Sequence, residues 1–235
     1  MVPPVKALFF DMFGTMLNWR DSIARETKST LEPLGHSFDW HEFADAWRAE
    51  YRPAMNEVID GKRPFVKLDV LHRENLEKIL PRYGVKNLDP ATIHNINMGW
   101  HRLDTWPEVP AVMLRLRKKY KIAPLSNGNI SLMADVAKRN GFAFDAILGA
   151  EYAKVYKMQP AVYLASCEAF DLPPSECLMC AAHERDLAAA AKVGMRTAFI
   201  HRPNEFGPGK GGAFPHEPVD LIANNAEELA DKVGA

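Results

Sequence analysis

The segment Val5-Lys6-Ala7-Leu8-Phe9-Phe10-Asp11 is an apolar run, rich in aromatics and closed by an acid, with Gly14 placed to turn the chain just beyond it. A continuously apolar run is the pattern of a strand buried on both faces, as strands are in parallel sheets. Shorter apolar runs recur at residues 122–125, 146–148, 177–181, 197–200 and 221–222. Helical patterns fill the stretches between them, at roughly 108–119, 130–141, 158–170, 184–194 and 226–233. Strand and helix alternating in this way predict an α/β fold with a doubly wound parallel sheet.

Residues 19–106 break that rhythm. They are largely helical in pattern, with charged and aromatic residues interleaved and no strong strand. The simplest account is a helical cap inserted after the first strand, leaving 1–18 and 107–235 as the core domain. Ligands of open α/β sheets bind beyond the C-terminal ends of the strands. A cap there would line the site with its inner face. Residues 201–218 are rich in Gly and Pro, and too little chain follows for a linker to another domain. A long surface loop is expected, and such loops are often functional.

Several function classes are excluded early. Lys and Arg number 29 against 30 Asp and Glu, a formal net charge of −1. That balance gives no electrostatic case for nucleic acid or an anionic membrane as partner, although a few local cations could hold a small anion. No stretch approaches the ~18 consecutive apolar residues of a membrane span. Residues 1–6 pass directly into the first strand without a signal-peptide layout. Cys177 and Cys180 form a CxxC without a second ligand pair, inside an apolar run, so buried thiols are favoured over a redox or metal motif. A reducing cytoplasm is the matching compartment.

Four strand-end sites carry the chemistry. Asp11-Met12-Phe13-Gly14-Thr15 places a carboxylate at a strand's end, where it is suited to nucleophilic attack or, more blandly, to capping a helix. Ser126-Asn127-Gly128 closes a second run, Lys157 precedes a helix, and Asp186 follows a third run. In one parallel sheet all four meet at the same edge.

In that combination and order the chain resembles the haloacid dehalogenase superfamily over essentially its whole length. The resemblance implies a Rossmann-like core with a cap. Asp11 with Gly14 and Thr15 matches the first motif, Ser126 and Asn127 the second, Lys157 the third and Asp186 the fourth. The superfamily's phosphatases carry an acid two residues after the nucleophile and another four residues before the last aspartate, and here those positions are Phe13 and Ala182. Losing a magnesium ligand and the general acid together disables phosphoryl transfer. Carbon–halogen cleavage needs neither, because halide leaves as a stable anion. The chain is therefore identified as similar to the type II (S)-2-haloacid dehalogenases, which implies no metal and no cofactor.

On that resemblance Asp11 displaces halide from C2 of a short 2-haloacid with inversion, and water then hydrolyses the aspartyl ester to a 2-hydroxy acid. Arg48 in the cap and Asn127 stabilise the halide, with Met12, Phe13, Trp47 and Tyr156 (and Trp19 beside them) as candidates to enclose the substrate. For Arg48 an ion pair with Asp45 or Glu50 is the plain alternative. Thr15 and Ser126 orient Asp11 or hold the substrate carboxylate. Lys157 keeps Asp11 ionised, and Asp186 balances Lys157. His183 stands where relatives offer a hydrogen-bonding side chain. It is a candidate base for water, or else a partner of Glu184 or Asp186. Met158 follows Lys157 where a proline is usual, which leaves Lys154 as a competitor. The partners implied are a small anionic 2-haloacid, water and, as in type II relatives, a second copy in a homodimer. A magnesium-dependent phosphatase and a non-catalytic binding protein on the same fold remain the alternatives. The halogen preferred, fluorine included, depends on pocket shape.

Overall fold

The structure is a computed structural model that describes residues 4–235; residues 1–3 of the N-terminal run lie outside the described residues. The chain enters through β1 (Ala7–Phe10), turns through residues 11–16 and leaves the core by β2 (Leu17–Asn18). Helices α1 (Trp19–Leu31), α2 (Trp40–Ala49), α3 (Tyr51–Ile59), α4 (Leu68–Ile79) and α5 (Pro90–Asn97) follow, and β3 (Asp104–Thr105) brings the chain back. Strand β2 pairs antiparallel with β3, Leu17 opposite Thr105 and Asn18 opposite Asp104, in a short ribbon at the exit and re-entry points. The sequence showed no strand here, because two residues are too few to display a period.

The remainder alternates: α6 (Val109–Arg117), β4 (Lys121–Ser126), α7 (Ile130–Arg139), β5 (Leu148–Gly149), α8 (Ala150–Ala153), α9 (Pro160–Glu168), β6 (Cys177–Ala181), α10 (Glu184–Lys192), β7 (Arg196–Ile200), β8 (Leu221–Ala223) and α11 (Ala226–Lys232). Six strands form one parallel sheet in the order β5-β4-β1-β6-β7-β8. The α/β doubly wound fold expected from the sequence is therefore present. Strand β1 lies between β4 and β6, with Phe10 opposite both Pro124 and Cys180. That placement brings residues 11, 126 and 182 to one edge.

Both faces of the sheet are covered, which is why the strands read as apolar without alternation. Ala7 and Phe9 pack with Val162, Tyr163 and Leu187 on one side. Leu8 and Phe10 join a second cluster that runs through Val109 and Met113 into the helices of residues 19–106. Cys177 and Cys180 fall in different clusters, on opposite faces of β6, so they cannot share a ligand. Among the described residues no helix is long and apolar enough to cross a membrane.

The inserted helices are tied to the sheet's edge by polar contacts. Tyr156 donates from its hydroxyl to the Val66 carbonyl at 2.8 Å, and Lys67 pairs with Glu151 at 3.0 Å. His101 bridges Asp135 on α7 at 2.7 Å and Asp69 on α4 at 3.0 Å. Asp104 in the ribbon pairs with Arg25 on one side and Arg139 on the other.

One glycine fixes the geometry beside the site. Gly149 has φ +113°, and a Cβ there would overlap the backbone of Ser126. Gly149→Ala is expected to lose about 2 kcal/mol of stability or more, since the strained backbone alone costs about 1–3 kcal/mol. A urea midpoint unchanged from wild type would refute this account of β5.

Candidate active site

The nucleophile turn is built by backbone hydrogen bonds. The Asp11 N–H donates to the Cys180 carbonyl at 2.9 Å, and the N–H groups of Met16 and Leu17 both donate to the Met12 carbonyl. Gly14 makes the turn at φ +86°, and a Cβ there would overlap the Glu205 carboxylate. Two further contacts hold this backbone from outside. Trp106 Nε1 donates to the Gly14 carbonyl at 3.0 Å, and Arg202 Nε to that of Thr15 at 2.7 Å.

Every bond to the Asp11 carboxylate keeps it charged. Lys157 Nζ donates to Oδ1 at 3.1 Å; Thr15 Oγ1 donates to Oδ2 at 2.7 Å. His183 Nδ1 meets Oδ2 at 2.9 Å. Burial alone would raise the pKa of Asp11, but the Lys157 charge and the His183 and Thr15 bonds outweigh it and hold the carboxyl well below the usual carboxylate range. Lys157 itself is buried, which disfavours its charge; Asp11 and Asp186 reverse that and raise its pKa. Asp186 is a weaker acid than usual because it is buried, with Asp11 adding to the effect and Lys157 opposing it. Lys157 reaches Asp186 Oδ2 at 2.6 Å, and the Tyr163 hydroxyl donates to Oδ1 at 2.6 Å. Lys157, rather than Lys154, thus stands at Asp11; Lys154 lies over the Phe65 ring.

His183 pairs with neither Glu184 nor Asp186. Its Nε2 lies 3.0 Å from both oxygens of Glu205, a buried residue of the Gly/Pro-rich loop. Burial would lower the pKa of His183, but the bonds and charges of Asp11 and Glu205 push it up to about 10. The ring is therefore protonated at neutral pH. Sequence alone did not single out Glu205; the only signal was the unusual length of its loop.

The helices of residues 19–106 supply the other wall. Arg48 pairs with neither of its sequence neighbours, because Asp45 is taken by Arg20 at 2.8 Å and Glu50 by Arg82 at 2.9 Å. Its guanidinium lies 3.9 Å from the Tyr51 ring centroid, 5.4 Å from Phe13 and 5.5 Å from Trp19. Its Nη1 is buried and has no hydrogen-bond partner among the described residues. Asn127 donates to the Tyr51 hydroxyl at 2.9 Å and accepts from the Lys157 N–H at 2.9 Å, so it joins α3 to the lysine loop. Ser126 Oγ accepts from the Gly128 N–H at 3.0 Å and bonds to no Asp11 atom among the described residues. Met12 is buried in the core. Trp47 donates to the His72 carbonyl at 2.9 Å, and the Tyr156 hydroxyl bonds to Val66, so both brace the inserted helices. Tyr51, Tyr163 and His72 had no signal in the sequence. They reach the site through the crossing of helices, which no spacing along one segment displays.

Phe13 and Ala182 are buried beside Asp11, where a phosphoryl-transfer site needs carboxyls. A buried carboxylate held ionised by a lysine, with Phe13 two residues on lying against a guanidinium whose Nη1 has no partner among the described residues, is equipped to attack an electrophile whose leaving group departs as an anion.

Comparisons with known proteins agree. The haloacid dehalogenase-like hydrolase family matches residues 5–194. The crystal structure of a defluorinating L-2-haloacid dehalogenase superposes with a TM-score of 0.95 at 38% identity, covering 98% of this chain and 96% of that one. A second L-2-haloacid dehalogenase crystal structure gives 0.93 at 41%, covering 97% and 98%. The (S)-2-haloacid dehalogenase 4A of Burkholderia cepacia is 25% identical over 97% of this chain and 95% of its own length.

The pairing of His183 sets a pH dependence. Its pKa in the folded protein, about 10, lies above the ordinary value of 6.5. The stability it contributes is therefore complete below about pH 6.5 and lost as pH rises toward 10. Thermal unfolding of wild type should fall more steeply over that window than that of His183→Gln. Parallel curves would show that His183 gains nothing from Asp11 and Glu205.

Proposed function

The chain belongs to the haloacid dehalogenase-like hydrolases, and we propose that it hydrolyses short-chain 2-haloacids, of the haloacetate or (S)-2-halopropionate kind, to 2-hydroxy acids. The observation that carries this reading is the Asp11 carboxylate, held ionised by Lys157 at 3.1 Å with Phe13 and Ala182 in place of further acids. The relatives named above as haloacid dehalogenases support it. Residues 19–106 serve as the cap and the remainder as the core.

In the first step Asp11 attacks C2 of the substrate. The C–halogen bond breaks as the C–O bond forms, its electron pair leaves on the halide, and configuration at C2 inverts. Oδ1 carries only the Lys157 bond, whereas Oδ2 carries Thr15 and His183, so Oδ1 is the freer nucleophile. The unpartnered Nη1 of Arg48 meets the charge developing on the halide. The Ser126 hydroxyl, whose oxygen accepts from Gly128, keeps its hydrogen for the substrate carboxylate.

Ester formation removes the negative charge of Asp11, and His183 is left with Glu205 as its remaining acidic partner. Its hold on the proton weakens. Once that proton has passed to solvent, the neutral imidazole accepts one from water as water attacks the Asp11 carbonyl carbon. The ester C–O bond then breaks, the product alkoxide takes the proton from His183, and Asp11, released as its acid, passes its own proton to His183, which restores both groups. Lys157 and Thr15 remain to steady the charge on its oxygens. The three thiols, unpaired and buried, suit the cytoplasm. The resemblance to type II enzymes adds a homodimer, which size-exclusion chromatography with light scattering would check.

Halide release from chloroacetate and (S)-2-chloropropionate should persist after divalent metal is chelated. Magnesium-dependent release of phosphate from p-nitrophenyl phosphate with no halide release would refute the reading. A single turnover with enzyme in excess in H₂¹⁸O should leave the product unlabelled and place the label on Asp11. Asp11→Asn should abolish the initial burst of halide, and Arg48→Ala should lower kcat/KM by about 10²–10³-fold, the effect of removing one donor from a developing anion. Undiminished turnover in either variant would remove that residue from the mechanism.

A further inference from the structure

His72 lies on α4, at the heart of the cap, and is 1% exposed. Neither ring nitrogen has a hydrogen-bond partner among the described residues. A buried donor without a partner gives up its hydration for nothing, so an imidazole kept in this state calls for a reason. Its surroundings supply one. The ring stacks on Trp100 with centroids 4.1 Å apart and planes at 19°, which occupies one face and leaves the nitrogen-bearing edge free. It lies 6.3 Å from Phe13 and 6.2 Å from Tyr51. Those same two rings flank the Arg48 guanidinium, at 5.4 Å and 3.9 Å. Imidazole and guanidinium therefore border one aromatic enclosure, and Phe13 carries its wall to within two residues of Asp11. Arg48 Nη1 and Trp100 Nε1 are likewise buried and without partners among the described residues.

We propose that His72 is a specificity-determining residue that donates an N–H to the departing halide alongside Arg48, and that its contribution grows as the halide becomes smaller and harder to expel. The inference rests on the dehalogenase reading above. The charged groups that face the ring are Arg48, Asp69 and His101. Burial together with the charges of Arg48 and His101 outweighs Asp69 and holds the pKa of His72 at about 3, so the ring is neutral with one N–H to give. The division of labour follows from the chemistry of the anions. Arg48 offers charge, whose attraction changes only gradually with the radius of the halide. A neutral N–H offers a directional hydrogen bond, which matters little to diffuse bromide, more to chloride and most to fluoride, whose concentrated charge is the hardest to strip of water.

The test compares kcat/KM, which covers all steps through halide departure, for bromoacetate, chloroacetate and fluoroacetate. The proteins are wild type, His72→Phe and His72→Gln. Trp47 bonds to the His72 backbone carbonyl, so neither replacement removes that contact. In His72→Phe the ratio of chloroacetate to bromoacetate activity should fall about tenfold, and that of fluoroacetate to bromoacetate roughly a hundredfold, the scale of one lost donor to a developing anion. His72→Gln, which retains an N–H, should recover most of both ratios. A residue that only packs would lower all three activities by a common factor. Such a uniform loss, or no loss, overturns the proposal while the dehalogenase reading stands. Where wild type releases no fluoride, the chloride-to-bromide ratio decides alone. Wild type silent on all three acids would overturn both.

Discussion

One buried ammonium organises the catalytic edge. Lys157 Nζ lies between Asp11 at 3.1 Å and Asp186 at 2.6 Å. The three groups sit at the ends of different segments, Asp11 after β1, Asp186 in the first turn of α10, and Lys157 in the loop before α9. None of these charges is tolerable alone in the interior, and removing one leaves an uncompensated buried ion. The parallel sheet solves the placement, because β1 lies beside β6 and both strands end at the same edge. Tyr163 then satisfies the remaining oxygen of Asp186, and Asn127 fixes the lysine loop through its backbone N–H. Asp11 is charged as a consequence of how the sheet is wound.

The fold was legible in the sequence because burying both faces of a sheet leaves runs of uniform apolarity. The segment at 177–181 is the clearest case, coinciding with β6 residue for residue. Asp11 was legible for a related reason, because it follows β1 directly and a residue at a strand's end projects from a fixed position; Lys157, in the loop before α9, and Asp186, in α10, were legible from the order of the motifs. The cap contributions were not. Arg48 came only through resemblance, and its release from Asp45 depends on Arg20, a residue 25 positions from Asp45. His72 and Tyr51 enter the enclosure through the packing of α2, α3 and α4, which local periodicity does not report. Glu205 belongs to a loop whose composition marks irregular structure and says nothing of where a side chain folds back.

The two halves of the site have different characters. The core half is polar and fully bonded: Asp11, Thr15, Lys157, Asp186 and His183 form one connected network. The half from residues 19–106 is aromatic and carries donors on Arg48, His72 and Trp100 that have no partner among the described residues. A bonded network fixes the nucleophile in place, whereas unspent donors have their value only when an anion arrives.

The contact of Glu205 with Gly14 has a consequence for how such a sequence can change over time. The carboxylate that braces His183 occupies the space that a Cβ at position 14 would take. The two positions are therefore epistatic. Any side chain at 14 requires the Glu205 carboxylate to move or be lost, and even then the backbone at φ +86° admits little besides glycine and asparagine.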